Sequence, residues 1–227
     1  MLIKKNVDIN KCSITGESPL YIACQNGHTE VVQMLINHKA NIHKCGDPGK
    51  SSLYIACQTG HIEVVKILIN NKADFNKCND NDESPLYVAS HAGNTKIVQM
   101  LINNMADCNK CNDNDESPLY IACYAGNTEI VQMLSNNKAD INKFTDKGTS
   151  RLHIACQEGH TEVVQVLLNN NVDINKCDDK KVSPLFFACM MGHHEIIQML
   201  IKRTADINKC IYNGAFTSVY RLPERIY

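Results

Sequence analysis

An all-α array of stacked helix-turn-helix units with projecting β-hairpin loops is the fold class that three features of this sequence predict. The first is an unbroken 33-residue period carried by Leu20, Leu53, Leu86, Leu119, Leu152 and Leu185, and by Ala23, Ala56, Ala89, Ala122, Ala155 and Ala188. The second is a glycine on the same interval, at Gly27, Gly60, Gly93, Gly126, Gly159 and Gly192. The third is the brevity of the unit: one copy cannot bury its own apolar face, so neighbours must stack and stability becomes a nearest-neighbour sum. Stacked arrays present a long surface and seldom build a deep catalytic pocket.

One unit runs from Glu17 to Cys45. Ser18 is placed as a helix N-cap, and Pro19 occupies the first helical position, where its missing N–H costs nothing. Leu20, Ile22, Ala23 and the small Cys24 follow, and Gly27 closes a helix of barely two turns. His28 and Thr29 open a second helix, whose Val31, Val32, Leu35 and Ile36 recur at helical spacing. An extended stretch from Ala40 to Cys45 leads to a turn cluster such as Asn79-Asp80-Asn81-Asp82. The period divides the chain into a half repeat at 1–13, full repeats at 14–46, 47–79, 80–112, 113–145, 146–178 and 179–211, and a degenerate partial repeat with a tail at 212–227, all in one continuous domain. Met1-Leu2-Ile3 aligns with Met34-Leu35-Ile36, so the chain is expected to be a piece of a longer array.

The pattern resembles the ankyrin repeat, with its T-P-L-H-x-A core, Gly-His turn and A-D-x-N segment. The matches here are SPLYIA, SPLYVA, SPLYIA and SPLFFA beginning at Ser18, Ser84, Ser117 and Ser183, with poorer copies at Ser51 and Ser150. Ala73-Asp74-Phe75-Asn76 carries the last segment, which recurs at Ala106, Ala139 and Ala205. The likeness covers about residues 1 to 214. It implies an ankyrin-repeat solenoid that works as a non-enzymatic scaffold for another protein. The sequence departs from the family in two places. The usual histidine is Tyr21, Tyr54, Tyr87, Tyr120 or Phe186, and only His153 keeps it. Aromatic packing with a hydroxyl tip is expected to replace its hydrogen bonds between repeats. The glycine that ends the second helix is replaced by Lys39, Lys72, Met105, Lys138, Asn171 and Thr204. A left-handed conformation at these places costs about 1 kcal/mol each relative to glycine.

Composition narrows the function classes. The 227 residues carry a formal net charge of −1, so no global basic field holds nucleic acid. No apolar run approaches the ~18 residues of a spanning helix, and Met1-Leu2-Ile3-Lys4-Lys5 lacks a signal-peptide core. A monomer in the cytoplasm, or the nucleus, is expected, with no cofactor, no catalytic or metal site, no nucleic acid and no membrane insertion.

Eleven of the twelve cysteines fall into two ladders. Cys24, Cys57, Cys123, Cys156 and Cys189 share the inner face of the first helix, while Cys12, Cys45, Cys78, Cys111, Cys177 and Cys210 share the loop base. Rungs about 8–10 Å apart meet neither the ~7 Å Cα limit of a disulfide nor zinc-thiolate geometry, so free thiols are expected throughout. Cys108-Asn109-Lys110-Cys111 is a C-x-x-C only because Cys108 replaces the Ile of Ile42, Ile141, Ile174 and Ile207. His28, His61, His160 and His193 belong to the Gly-His turn. The lysine ladder of Lys11, Lys44, Lys77, Lys110, Lys143, Lys176 and Lys209 is offset by Asp8, Asp74, Asp107, Asp140, Asp173 and Asp206 three residues earlier, which predicts a solvated and nearly neutral face.

The resemblance implies partner contact through the concave side of the first helices and the loop tips. On the helices the copy-to-copy variation marks Gln25, Asn26, Gln58, Thr59, His91, Tyr124, Gln157, Glu158, Met190 and Met191, with Val182 beside them. On the loops it marks Asp80, Asp113, Lys147 and Lys180. Exposed positions drifting neutrally would vary in the same way. The first copies are polar and the sixth is apolar, so the stronger anchor is expected in the C-terminal half. A competing expectation is that Phe216, Val219, Tyr220 and Leu222 fold back over that patch as a cap. An alternative function is an adaptor or sensor segment of a larger multidomain enzyme or channel, and a third is a thiol-based redox or metal protein. The family likeness also marks Asn76, Asn109 and Asn142 as candidate targets of an asparaginyl hydroxylase, against a structural role for the same side chains.

Overall fold

The structure, a computed structural model, describes residues 8–46 and 48–208. The expected half-repeat helix at Met1-Leu2-Ile3, the loop residue Asp47, the ladder residues Lys209 and Cys210, and the cap by Phe216, Val219, Tyr220 and Leu222 lie outside them. Among the described residues there are twelve α-helices and no strands. The chain divides into two compact units, Met1–Asp113 and Asn114–Tyr227.

In the first unit the helices are α1 (Pro19–Gln25), α2 (Thr29–Asn37), α3 (Ser52–Thr59), α4 (Ile62–Asn70), α5 (Pro85–His91) and α6 (Thr95–Asn103). The first helices α1, α3 and α5 pack in succession, the second helices α2, α4 and α6 do the same, and each pair closes on itself. Leu20, Leu53 and Leu86 with Ala23, Ala56 and Ala89 fill the inner layer; Val32, Val65 and Val98 with Leu35, Leu68 and Leu101 fill the outer one. The second unit repeats the plan with α7 (Pro118–Tyr124), α8 (Thr128–Asn136), α9 (Arg151–Glu158), α10 (Thr161–Asn169), α11 (Pro184–Met191) and α12 (His194–Lys202). Its inner layer is Leu119, Leu152 and Leu185 with Ala122, Ala155 and Ala188.

The capping signals act as expected. Ser18, Ser51, Ser84, Ser117, Ser150 and Ser183 each accept the backbone N–H three residues on, which satisfies one orphan donor of each short first helix. The residues in place of glycine after the second helices are left-handed: φ is 65° at Lys39, 64° at Lys72, 66° at Met105, 67° at Lys138, 55° at Asn171 and 62° at Thr204. Stacking energy holds them there against their own preference.

The projecting loops are tighter than the β-hairpins expected. Single backbone bonds close them, such as Asn79 N–H to the Glu83 carbonyl at 3.1 Å and Asp178 N–H to the Val182 carbonyl at 3.0 Å, and the isolated bridge is between Cys45 and Ser51. Asp, Asn and Gly have low strand propensity, and the Asp and Asn side chains take over backbone donors. Asn79 Oδ1 accepts from the N–H of Asn81 and Glu83, and Asp178 Oδ1 accepts from Lys180 and Val182.

Bonds between repeats fix the stacking. His61 Nε2 meets the Gln25 carbonyl at 3.0 Å and Asn94 Nδ2 donates to the Cys57 carbonyl at 2.9 Å. In the second unit His160 reaches the Tyr124 carbonyl at 2.9 Å and His193 the Gln157 carbonyl at 3.1 Å. Each contact satisfies an orphan carbonyl at the end of the preceding first helix. Gly27 must be glycine for the same reason: its φ is 69°, and a Cβ there would lie 2.5 Å from Nδ1 of His61. The A-D-x-N asparagine adds a second tie, with Asn76 Oδ1 accepting the Asp107 N–H at 3.0 Å and Asn175 Oδ1 that of Asp206 at 2.8 Å.

Candidate partner-binding surface

The last turns of the first helices carry the marked positions, and the two units display different chemistry there. In the first unit Asn26, Gln58, Thr59 and His91 are exposed and Gln25 is half-buried. Two of these side chains fold back on their own helices: Asn26 Nδ2 donates to the Ile22 carbonyl at 2.8 Å and the Thr59 hydroxyl to the Ile55 carbonyl at 2.8 Å. In the second unit Tyr124 and Met190 are each 43% exposed and Met191 is 52% exposed. Glu158 is exposed and accepts from Gln157 Nε2 at 2.9 Å.

Val182 departs from its expected place on this surface. It is only 8% exposed. Its N–H is held by Asp178 Oδ1 at 2.8 Å and its carbonyl accepts from His153 Nε2 at 3.0 Å, so the backbone is pinned at both ends and the side chain is turned into the seam. Glu83 stands at the corresponding place in the third repeat, where Tyr54 donates its hydroxyl to Glu83 Oε2 at 2.8 Å. The expected replacement of histidine by a tyrosine hydroxyl is thus present at that seam. Burial and the carboxylate push the Tyr54 hydroxyl pKa well up. At His153 the ring itself makes the tie, with Nδ1 accepting from the Ser150 N–H at 3.1 Å. Burial lowers its pKa below 6.5, against the opposing influence of the Val182 carbonyl and Asp178.

At the loop tips Asp80, Asp113, Lys147 and Lys180 are all exposed. The lysine ladder finds acids outside its own Asp-x-x-Lys segments. Lys110 Nζ lies 3.3 Å from Asp82 and Lys143 Nζ 3.4 Å from Asp115, both acids of the preceding tip. The aspartates three residues before these lysines are occupied locally: Asp107 Oδ1 accepts the Asn109 N–H and Asp140 Oδ1 that of Asn142. Gly148 follows at the Asp82 and Asp115 position of the fifth repeat, and Lys176 instead places Nζ 5.3 Å from the Phe144 ring centroid.

The thiols are chemically quiet where they are buried. Burial pushes Cys24 and Cys123 up to about 12, the nearby Arg151 opposing it at Cys123, and raises Cys57 and Cys156 as well. Cys108 is buried, its pKa raised by burial and then by Asp107. Ten described cysteines carry no disulfide. Cys177 corrects the expectation of free thiols throughout, because it is disulfide-bonded. The rung one period earlier is Phe144, so no thiol stands at the ladder position before Cys177. Among the described residues no group of three or more His, Cys, Asp or Glu is placed to hold a metal ion. No helix of the described residues is long and apolar enough to cross a membrane.

Sequence reading missed Arg151. It stands where four other copies carry proline, is 1% exposed, and donates from Nη2 to the Ser117 hydroxyl at 2.7 Å. The break in the SPL pattern was the available signal.

Comparisons with known proteins agree with this geometry. The family model of ankyrin repeats matches residues 1–79, 71–145 and 143–210. The chain belongs to the ankyrin repeat family, an all-α repeat fold whose members generally serve as protein–protein interaction modules. Among solved structures, the crystal structure of the human ASB11 ankyrin repeat domain superposes with a TM-score of 0.79 at 25% identity, over 85% of this chain and 86% of that one. Comparison with curated protein sequences gives no match.

Proposed function

We propose that the chain is a non-catalytic scaffold that binds a protein partner through the exposed ends of its first helices and its loop tips, with the anchor in the second unit. The observation that carries this reading is the pair Met190 and Met191, 43% and 52% exposed at the end of α11. An unbranched, polarizable side chain adapts to a partner, and a desolvated aromatic such as Tyr124 suits a hot spot. The side chains that sequence offers for chemistry have structural duties: His61, His160 and His193 tie repeats together, and the buried thiols sit far above the range of a reactive thiolate. The described cysteines other than Cys177 carry no disulfide, which supports a reducing compartment, the cytoplasm or nucleus, while the Cys177 disulfide counts against it.

The test is a quantitative pull-down with the full chain, followed by mass spectrometry. A partner bound by the wild type should be lost from Met190→Ser with Met191→Ser at unchanged melting temperature, and kept by Gln25→Ser with Asn26→Ser. A double methionine variant that melts markedly lower and binds normally would show the pair to be core, and the reading would fall.

A further inference from the structure

We propose that the partner segment seated on the second unit is acidic and carries bulky apolar side chains, its apolar residues meeting Met190, Met191 and Tyr124 and its carboxylates facing Lys147, Lys180 and Lys181. This rests on the protein-binding reading above and adds the chemistry of the partner.

The tips change charge in an ordered way. Each keeps its leading aspartate, at Asp80, Asp113, Asp146 and Asp179, while the next two residues run Asn81-Asp82, Asn114-Asp115, Lys147-Gly148 and Lys180-Lys181. In the earlier tips the acids Asp82 and Asp115 are bridged by Lys110 and Lys143. In the later tips Lys147, Lys180 and Lys181 are exposed, and none of the ion pairs among the described residues engages them. The two lysine-bearing tips are neighbours, since the Asp179 N–H donates to the Lys147 carbonyl at 3.3 Å. Asp178, the other acid of that loop, has its Oδ1 occupied by the N–H of Lys180 and Val182.

The apolar part lies at the far end of the same short helix. α11 begins two residues after Val182 and ends at Met191. Eight residues at 1.5 Å each put the methionine pair about 12 Å from the tip. An extended segment covers that in about four residues at ~3.3 Å each. Glu158, the acid on the intervening helix, is held by Gln157. An acidic segment therefore meets three exposed cations against two exposed leading aspartates, Asp146 and Asp179, beside an adaptable apolar seat, whereas a basic one meets a pair of tips whose lysines outnumber these aspartates. Exposed charges of this kind set on-rate and choice of partner more than raw affinity, and salt screens them.

The experiment is selection of random peptides of about 12 residues displayed on phage against the immobilised full chain, with enriched sequences then synthesised and titrated by fluorescence anisotropy. The expected pool is acidic, with Leu, Phe or Met about four residues from its carboxylates. Its affinity should fall at least about tenfold on Lys147→Glu with Lys180→Glu and Lys181→Glu, and fall again as salt rises, at unchanged melting temperature. The methionine double variant should also abolish it. Neutral or basic peptides, or acidic ones indifferent to the lysine reversal, would overturn the acidic assignment while leaving the protein-binding reading standing if the methionine variant still abolishes binding. Peptides that bind both variants unchanged, or no enrichment at all, would overturn both.

Discussion

The two units share one framework and differ in what they present. Leu53 in the first and Leu152 in the second are each 1% exposed at the same place in the repeat, and both units tie successive repeats with an imidazole or amide on an orphan carbonyl. Their surfaces diverge. The first unit ends its first helices in Asn26, Thr59 and His91, and its third repeat has an Asp80-Asn81-Asp82 tip; the second ends in Tyr124 and Met191 and has Lys180-Lys181. A period that holds the core constant lets surface residues change without rebuilding the fold, so recognition and stability can be altered separately. The seams differ as well: Tyr54 binds a carboxylate where His153 binds a backbone carbonyl.

If the frameworks are equivalent, Leu53→Ala and Leu152→Ala should each cost about 2–5 kcal/mol, with similar values in chemical denaturation. A large disparity would break the comparison, because it would mean that one unit carries the array.

The seams should respond differently to pH. His153 has its pKa lowered in the folded state, so the neutral ring is the form the fold accepts. That contribution is fully present above the ordinary value of 6.5 and is lost as pH falls through and below it. Urea midpoints measured from pH 7.5 to 5 should fall in the wild type and fall less in His153→Tyr. Equal slopes would remove His153 as the cause.

Tyr54→Phe deletes the hydroxyl bond to Glu83 and should cost about 1 kcal/mol, with no added pH dependence near neutrality. At the small end, Lys72→Gly and Lys138→Gly relieve left-handed residues with φ of 64° and 67° and should each raise stability by about 0.5–1 kcal/mol. Equal gains would sharpen the claim that both units hold the same backbone against side-chain preference.

These expectations divide according to what a sequence can encode locally. Helix starts, the Gly-His turn and the left-handed residues were legible, because a cap or a turn depends on neighbours within a few positions. Pairing across repeats was not. Lys110 finds Asp82 rather than Asp107, since the nearer carboxylate is consumed by the Asn109 N–H. Val182 looked like an exposed recognition residue until the His153 bond, 29 positions away, turned it inward. The loops, expected as β-hairpins, close through single backbone bonds, and side chains such as Asn79 and Asp178 take further backbone donors that a longer strand ladder would use. All the marked residues but Val182 have exposed or half-exposed side chains, as neutral drift at the surface would also leave them.

Amide hydrogen exchange of the full chain, alone and with the partner that the pull-down isolates, tests most directly the claim that the second unit is the binding unit. Slowed exchange should concentrate at the end of α11, the end of α7 and the loop at 178–182, with α1 and α3 unchanged. Protection confined to α1, α3 and the tip at Asp80, with α11 exchanging as in the free protein, would contradict the account.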